Sequence, residues 1–406
     1  MPAAFATVLQ IIPRLDTGGA ELSTIEVTEA IVKAGGRALV ASEGGRMAGE
    51  IARLGGELVA FPAATKNPLR ILANARRLAR LIEAEKVDIV HARSRAPAWS
   101  ALIAARRTGR PFVTTYHGAY GGRGALKTWY NGVMARGDLV IANSAYTARL
   151  IAERHGTPET RIRVIHRGVD VARFDRAAIA PERISALREE WGLAPGDRVV
   201  LQAARLTGWK GQRVLIEAAR LLASSGRLGD AVVVMAGDAQ GRDGYREELL
   251  ARIEAAGLGT LVRLVGHCAD MPAAFALADL AVIASTEPEA FGRATAEALA
   301  VGCPVVATDL GAPPETLLVK GRVPEGSHVG WLAEPGDAAG LAARIAEALA
   351  LSQSERAALA DRALAHVRAH FTVAQLQGAT LDVYRELLAG MGENPAGERG
   401  RPAPRA

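Results

Sequence analysis

The stretch Val199 to Ala236, VVLQAARLTGWKGQRVLIEAARLLASSGRLGDAVVVMA, decides the fold. Val199–Ala203 and Val232–Ala236 are short apolar runs rich in β-branched residues. Between them lie the glycine-bearing turn Arg205-Leu206-Thr207-Gly208-Trp209-Lys210-Gly211 and a segment of helical spacing. Strand, turn, helix and strand in this order form the repeating unit of a parallel sheet covered by helices. The alternation continues in both directions. Towards the N-terminus, strands are predicted near Val8–Ile12, Ala38–Ala41, Leu58–Phe61, Val87–His91, Phe112–Thr115, Leu139–Ala142 and Arg163–Ile165. Towards the C-terminus they fall near Val262–Val265, Leu280–Ala284 and Val305–Thr308. The fold class is α/β, with two doubly wound parallel sheets.

The boundaries follow from where the pattern lapses. Val169 to Asp197 carries Pro181 and Pro195 and no strand run, with one short helix expected at Glu182–Trp191. Residues 171–196 are therefore read as a linker between an N-terminal domain, 1–170, and a C-terminal domain, 197–371. A helix over 372–391 closes the fold, and 392–406, made largely of Pro, Gly and Arg, has almost nothing to bury and is expected to be disordered.

Composition narrows the class. With 49% hydrophobic and 23% charged residues over 406 positions, the chain is of ordinary globular type and long enough for two cores. No run of 18 apolar residues is free of charge, and Arg14 and Asp16 interrupt any leader-like segment, so a cytoplasmic protein is expected. Cys268 and Cys303 are too few for a disulfide framework and lack zinc-site spacing. The net charge of +6 is unevenly spread: residues 1–170 hold 24 Lys+Arg against 14 Asp+Glu, whereas the remainder holds 25 against 29. The first half is thus the one suited to an anionic partner. Its helix Leu69–Ile82 sets Arg70, Arg76, Arg77 and Arg80 opposite an apolar stripe of Leu72, Ala75, Ala79 and Ile82, a pattern that fits either an ordinary surface helix or one resting on anionic lipid. Aromatics make up only 4% and show no basic interleaving, which argues against nucleic acid.

Ligands of open α/β sheets bind outside the carboxyl ends of the strands, so candidate chemistry is sought there. After the first strand, Gly18-Gly19 opens a helix whose bare amides suit an anion or a sugar, although the turn is not a G-x-G-x-x-G fingerprint. After Phe112–Thr115 comes Tyr116-His117-Gly118, which holds an imidazole at the sheet edge. Arg205 and Lys210, five apart across a strand-end turn, could converge on a diphosphate. Glu289-Ala290-Phe291-Gly292, leading to Glu297, places two carboxylates around a helix start near Phe291-Gly292, with the second acid about 80° around the axis if helical geometry held throughout. A glycosidase pair is the competing reading, but the spacing does not establish its geometry. Asp238 with Asp243, and His267-Cys268, lack the spacing of metal ligands, and no metal site is assigned.

In their order these motifs resemble retaining glycosyltransferases of family 4. The elements are the Gly18–Glu21 turn, His117-Gly118, Asn143-Ser144, Arg167-Gly168-Val169-Asp170, Arg205 with Lys210, and Glu289 with Glu297. The resemblance spans about residues 6–390. It implies the GT-B fold: two Rossmann-like domains facing across a cleft, with a C-terminal helix crossing back to the first. It implies that the C-terminal domain binds a UDP- or GDP-sugar and the N-terminal domain an acceptor whose contacts are unknown. By the same resemblance, Arg205 and Lys210 would hold the diphosphate, amides around Phe291-Gly292 would add hydrogen bonds, and Glu289 would accept from sugar hydroxyls. Glu297 would accept from the ribose, His117 would contact the donor sugar, and Gly19 would admit the phosphate.

No cofactor or metal is expected, and transfer would proceed by front-face attack with retention. The turn sequences are most similar to bacterial envelope branches of the family, including those that build lipopolysaccharide cores, which suggests a glycan or glycolipid acceptor and peripheral attachment to the inner face of the cytoplasmic membrane. Two alternatives stand beside this reading: a non-catalytic nucleotide-sugar-binding scaffold, and a nicotinamide-dependent oxidoreductase on a two-Rossmann scaffold.

Overall fold

In the computed structural model, which describes residues 5–16, 18–118 and 124–392, the apolar runs form two parallel sheets. The first contains β1 (Thr7–Ile11), β2 (Arg37–Ser42), β3 (Glu57–Ala60), β4 (Ile89–Ala92), β5 (Phe112–Tyr116), β6 (Leu139–Ala142) and β7 (Ile162–Val164). Their order is β3-β2-β1-β4-β5-β6-β7, with every neighbouring pair parallel. The second contains β8 (Arg198–Ala203), β9 (Ala231–Ala236), β10 (Val262–Gly266), β11 (Leu280–Ile283), β12 (Val305–Thr308) and β13 (Gly330–Ala333), in the order β10-β9-β8-β11-β12-β13. It too is parallel throughout.

Helices cover these sheets because their apolar residues recur every three to four positions. Helix Gln212–Ser224 buries Leu215, Ile216, Ala218, Ala219 and Leu222 and leaves Arg213, Arg220 and Ser224 to solvent. Strands covered on both faces become continuous apolar runs, as in β9, where all six residues are buried.

Strand β13 has no counterpart in the sequence reading. Its four residues, Gly330-Trp331-Leu332-Ala333, include no β-branched side chain, yet they pair with β12 in the register Val306↔Trp331, and Trp331 is fully buried. The helix Pro68–Ala84 departs from expectation on one face. Asn67 caps it by accepting from the amides of Leu69 and Arg70, and Asn74, Ala75, Leu78, Ala79 and Ile82 turn inward. Leu72, assigned to the inward stripe, is instead 49% exposed, on the side where Leu69 is 77% exposed.

The chain divides into two units. The first comprises the residues up to Asn143, Ala148–Ile165 and the chain from Gln377; the second comprises Ser144–Thr147 and His166–Leu376. The segment 171–196, read as a linker, supplies Phe174, Ile179, Leu187, Trp191 and Leu193 to the core of the second unit, and its helix is Pro181–Glu190. The closing helix is Val373–Gly392. Of residues 392–406, read as a disordered tail, Gly392 ends this helix, and 393–406 lie outside the described residues, as do Thr17 and positions 119–123 of the loop after His117.

Strand order reverses between β1 and β4 in the first unit and between β8 and β11 in the second. At such a reversal the flanking loops leave in opposite directions and open a crevice at the carboxyl edge. The candidate residues lie on the loops that leave these edges.

Candidate functional site

In the second unit two loops are pressed together at this reversal. Gly211 ends the turn after β8 with φ +74°, and a Cβ there would lie 1.7 Å from the carbonyl oxygen of Ala284, at the end of β11. Only glycine lets the backbones approach so closely. The Thr286 amide then donates to the Trp209 carbonyl at 2.7 Å. Two glutamines brace the turn: Gln202 Nε2 donates to the Lys210 carbonyl at 2.7 Å, and Gln212 Nε2 to that of Arg205 at 3.0 Å.

This packing brings Lys210 to Glu289. The ammonium Nζ lies 2.7 Å from Glu289 Oε1, with side chains only 15% and 11% exposed, and it also sits 4.4 Å from the centroid of the Trp209 ring. The Ser285 hydroxyl donates to the same carboxylate oxygen. The Glu289 backbone is fixed from another side, where the Ala312 amide donates to its carbonyl at 3.0 Å.

Phe291 is 2% exposed, its ring centroid 6.2 Å from His166 and 6.1 Å from Phe371. That anchor leaves its backbone at the start of the next helix. Gly292 adopts φ +79° there, and helical geometry begins at Arg293. Glu289 therefore precedes the helix, as its place before Phe291-Gly292 suggested, and the 80° relation, conditional on unbroken helical geometry, does not apply. Glu297 lies one turn into the helix Arg293–Ala300, where Arg293 Nε donates to Glu297 Oε1 at 3.2 Å. The two carboxylates are thus each held by a cation of their own. Arg205 differs: its side chain is exposed and makes no hydrogen bond or ion pair with any described residue. The structure unites Lys210, Glu289 and Gly292; it does not bring the Arg205 guanidinium to them through a contact.

In the first unit, Gly19 opens the helix Gly19–Lys33 directly after the β1 loop. The turn carries its own anion, because a Cβ on Gly18 would lie 2.5 Å from Glu21 Oε2. A carboxylate in this position already complements the helix N-terminus. His117 follows β5 and is half-buried.

Beneath it lies a buried polar network that the sequence reading missed. Arg93 donates through Nε to Gln10 Oε1 at 2.9 Å, again through Nη2, and through Nη1 to the Thr115 hydroxyl at 3.3 Å. His91 contacts the Tyr384 hydroxyl and Thr115 Oγ1, both at 2.7 Å. Burial, followed by the fields of Arg93 and His117, holds His91 well below the usual imidazole range, so the ring is neutral. Burial pushes the Tyr384 phenol up to about 12.

Ser285, Trp209, Gln202 and Gln212 were not singled out from sequence either. Ser285 lies just beyond the end of β11, where the strand-end rule points to it, and Arg293 stands at the i,i+4 spacing of a helical ion pair with Glu297. The glutamines carry no such signal, since their partners are backbone carbonyls brought near by the turn.

Comparison with known proteins accounts for this set of features. Residues 17–173 match the family model described as Glycosyltransferase Family 4, and residues 184–365 match that described as Glycosyl transferases group 1. A glycosyltransferase from Rickettsia africae ESF-5 superposes with a TM-score of 0.85 at 32% identity, the match covering 94% of this chain and 98% of that one. The Anabaena protein HepE, solved with UDP and glucose, gives a TM-score of 0.79 at 26% identity over 94% of this chain and 99% of its own. D-inositol 3-phosphate glycosyltransferase of Mycobacterium tuberculosis is 28% identical over 263 residues, 63% of this chain, and the match spans about half the length of that relative (50%). This chain belongs to glycosyltransferase family 4 and has the GT-B fold.

Proposed function

We propose that this chain is a retaining glycosyltransferase that moves a sugar from a nucleotide diphosphate sugar onto a lipid-linked or envelope glycan acceptor without a metal. The observation that carries the reading is the Lys210–Glu289 pair beside Gly292, a cation and an acid held at the carboxyl edge of the second sheet by interlocked loops. HepE, at 26% identity, was solved with UDP and glucose, which supports a donor of this class.

Charge builds up on the departing diphosphate as the bond between the anomeric carbon and the phosphate oxygen breaks. Lys210, the exposed Arg205 and the amide end of the Arg293–Ala300 helix would stabilise that charge. Glu289 would exchange part of its hold on Lys210 for donor-sugar hydroxyls, and Glu297 would accept from the ribose. By the family resemblance, His117 and Gly19 would also contact the donor. The acceptor hydroxyl attacks from the face the diphosphate leaves, its proton passes to a departing phosphate oxygen, and the configuration is retained.

The expected outcome is that Lys210→Ala lowers kcat/KM by about 10²–10³-fold, the size of effect seen when one preorganised charge-stabilising group is removed. Release of nucleoside diphosphate by the parent protein should be unaffected by EDTA. Wild-type turnover in the variant, or its abolition by chelator, would overturn the mechanism.

An acceptor of this kind agrees with the location of the positive charge. Residues 68–155 hold 15 Lys+Arg against 5 Asp+Glu, the whole surplus of the first 170 residues. Within them, the helix Pro68–Ala84 exposes Leu69 and Leu72 among Arg70, Arg76, Arg77 and Arg80, a face suited to anionic lipid. Among the described residues no helix is long and apolar enough to cross a membrane. Co-sedimentation with phosphatidylglycerol vesicles is expected at low salt and should weaken at high salt. Failure to bind at low salt removes the membrane from the proposal.

A further inference from the structure

One buried side chain beside Gly292 carries a hydroxyl that the fold leaves unused. Thr295 stands in the first turn of the Arg293–Ala300 helix, is 0% exposed, and uses its amide to donate to the Gly292 carbonyl at 3.0 Å. Its hydroxyl has no hydrogen-bond partner among the described residues. A threonine in a helix usually returns its hydroxyl to a carbonyl one turn back, and a buried hydroxyl left unmatched is destabilising.

The hydroxyl has a definite address. Its Oγ1 lies 3.4 Å from the position a Cβ on Gly292 would take, and Glu289 Oε2 lies 3.7 Å from the same position. Hydroxyl, carboxylate and helix N-terminus therefore meet beside one glycine. The negative charge of Glu289 is countered by Lys210 at 2.7 Å, so this edge does not repel an anion as a bare carboxylate would. Strand β8 and the turn after it are incomplete in the same way: Gln202 Oε1 and Thr207 Oγ1 are also buried without partners among the described residues.

We infer that Thr295 is a donor-binding residue whose hydroxyl donates to an oxygen of the bound diphosphate beside Gly292. The inference rests on the donor reading proposed above. Bound phosphate supplies the acceptor that the fold withholds, and the helix amides beside it favour the same anion.

Two substitutions and one readout pair test it: Thr295→Val, which keeps the shape and removes the hydroxyl, and Thr295→Ser, which keeps the hydroxyl. UDP and GDP serve as the probes, with affinity measured by calorimetry and stability by the melting temperature of the ligand-free protein. Thr295→Val should weaken nucleoside diphosphate binding about tenfold and raise the donor KM more than it lowers kcat, because a hydrogen bond to a charged group is lost. Its ligand-free melting temperature should be unchanged or higher, since an unmatched hydroxyl has become a methyl group. Thr295→Ser should bind close to wild type.

A residue with a merely structural role would show the reverse, a lower melting temperature with unaltered affinity, and that result overturns the inference. So does wild-type affinity in Thr295→Val. If the wild-type protein binds neither UDP nor GDP, the donor reading itself falls and takes the inference with it.

Discussion

Each unit buries a polar cluster at the carboxyl edge of its sheet, and the two are finished differently. In the first unit, Arg93, Gln10, Thr115, His91 and Tyr384 are nearly or wholly buried and satisfy one another. Gln10 spends its remaining donor on the Thr24 carbonyl and the Thr28 hydroxyl, at 3.1 and 2.9 Å. In the second unit, Lys210 and Glu289 stay partly open to solvent, and the hydroxyls of Thr207 and Thr295 have no partners among the described residues. A saturated network holds a shape and offers a ligand little, whereas an unsaturated one carries a cost that a ligand can remove. The first cluster braces the sheet edge that His117 follows; the second is suited to binding.

The largest effect that would break this contrast lies in the first unit. Replacing Gln10 with Leu strips the Oε1 acceptor from Arg93 Nε and Nη2 and leaves the buried guanidinium, among the described residues, with the Thr115 hydroxyl as its one remaining hydrogen-bond acceptor. Leaving a buried donor without its acceptor typically costs about 1–3 kcal/mol, and more when the donor is charged. Gln10→Leu is expected to lower the urea midpoint accordingly, while Thr295→Val in the other cluster lowers it not at all. Equal losses in the two variants would mean that saturation does not separate them. No loss in Gln10→Leu would mean that Arg93, whose charged form burial disfavours, is held by the fields of Tyr384 and Glu26 rather than by the Gln10 amide.

Much of this architecture was legible in the letters, for identifiable reasons. Leu139–Ala142 is a strand over the residues expected of it because a run of apolar residues buried on both faces needs no context. Gly330–Ala333 was invisible because its membership depends on pairing with β12, a long-range fact with no local mark. Leu72 was misplaced because helical spacing defines a stripe only to within one row, and where the inward face ends is set by the neighbouring helices.

The site divides in the same manner. Lys210 and Glu289 were found by the rule that ligands collect at strand ends, but their contact across 79 positions of sequence is a product of packing. Thr295 is hidden more deeply. The i,i+4 relation to the buried Leu299 suggests burial, but whether its hydroxyl meets a partner is decided by packing that leaves no local mark.

The smallest effect is a slope, and it concerns the saturated cluster. His91 is buried as a neutral ring with its pKa well below 6.5, first by desolvation and then by the positive fields of Arg93 and His117. The unfolded chain regains an ordinary imidazole, so between that value and the depressed folded one the unfolded state binds the extra proton. Stability is therefore complete above about pH 6.5 and falls as the pH drops towards the folded value, by roughly 1.4 kcal/mol per pH unit for one such histidine. His155, His166, His328 and His366 are also lowered by burial and tilt the curve in the same direction, so the wild-type slope alone cannot be assigned to His91. His91→Gln removes the titrating ring while keeping a donor and an acceptor. It should flatten the stability curve between pH 6.5 and 5 by about one proton's worth, a difference readable from urea midpoints at several pH values. Parallel wild-type and variant curves would show that the network admits a proton without opening, and the description of it as closed would fail.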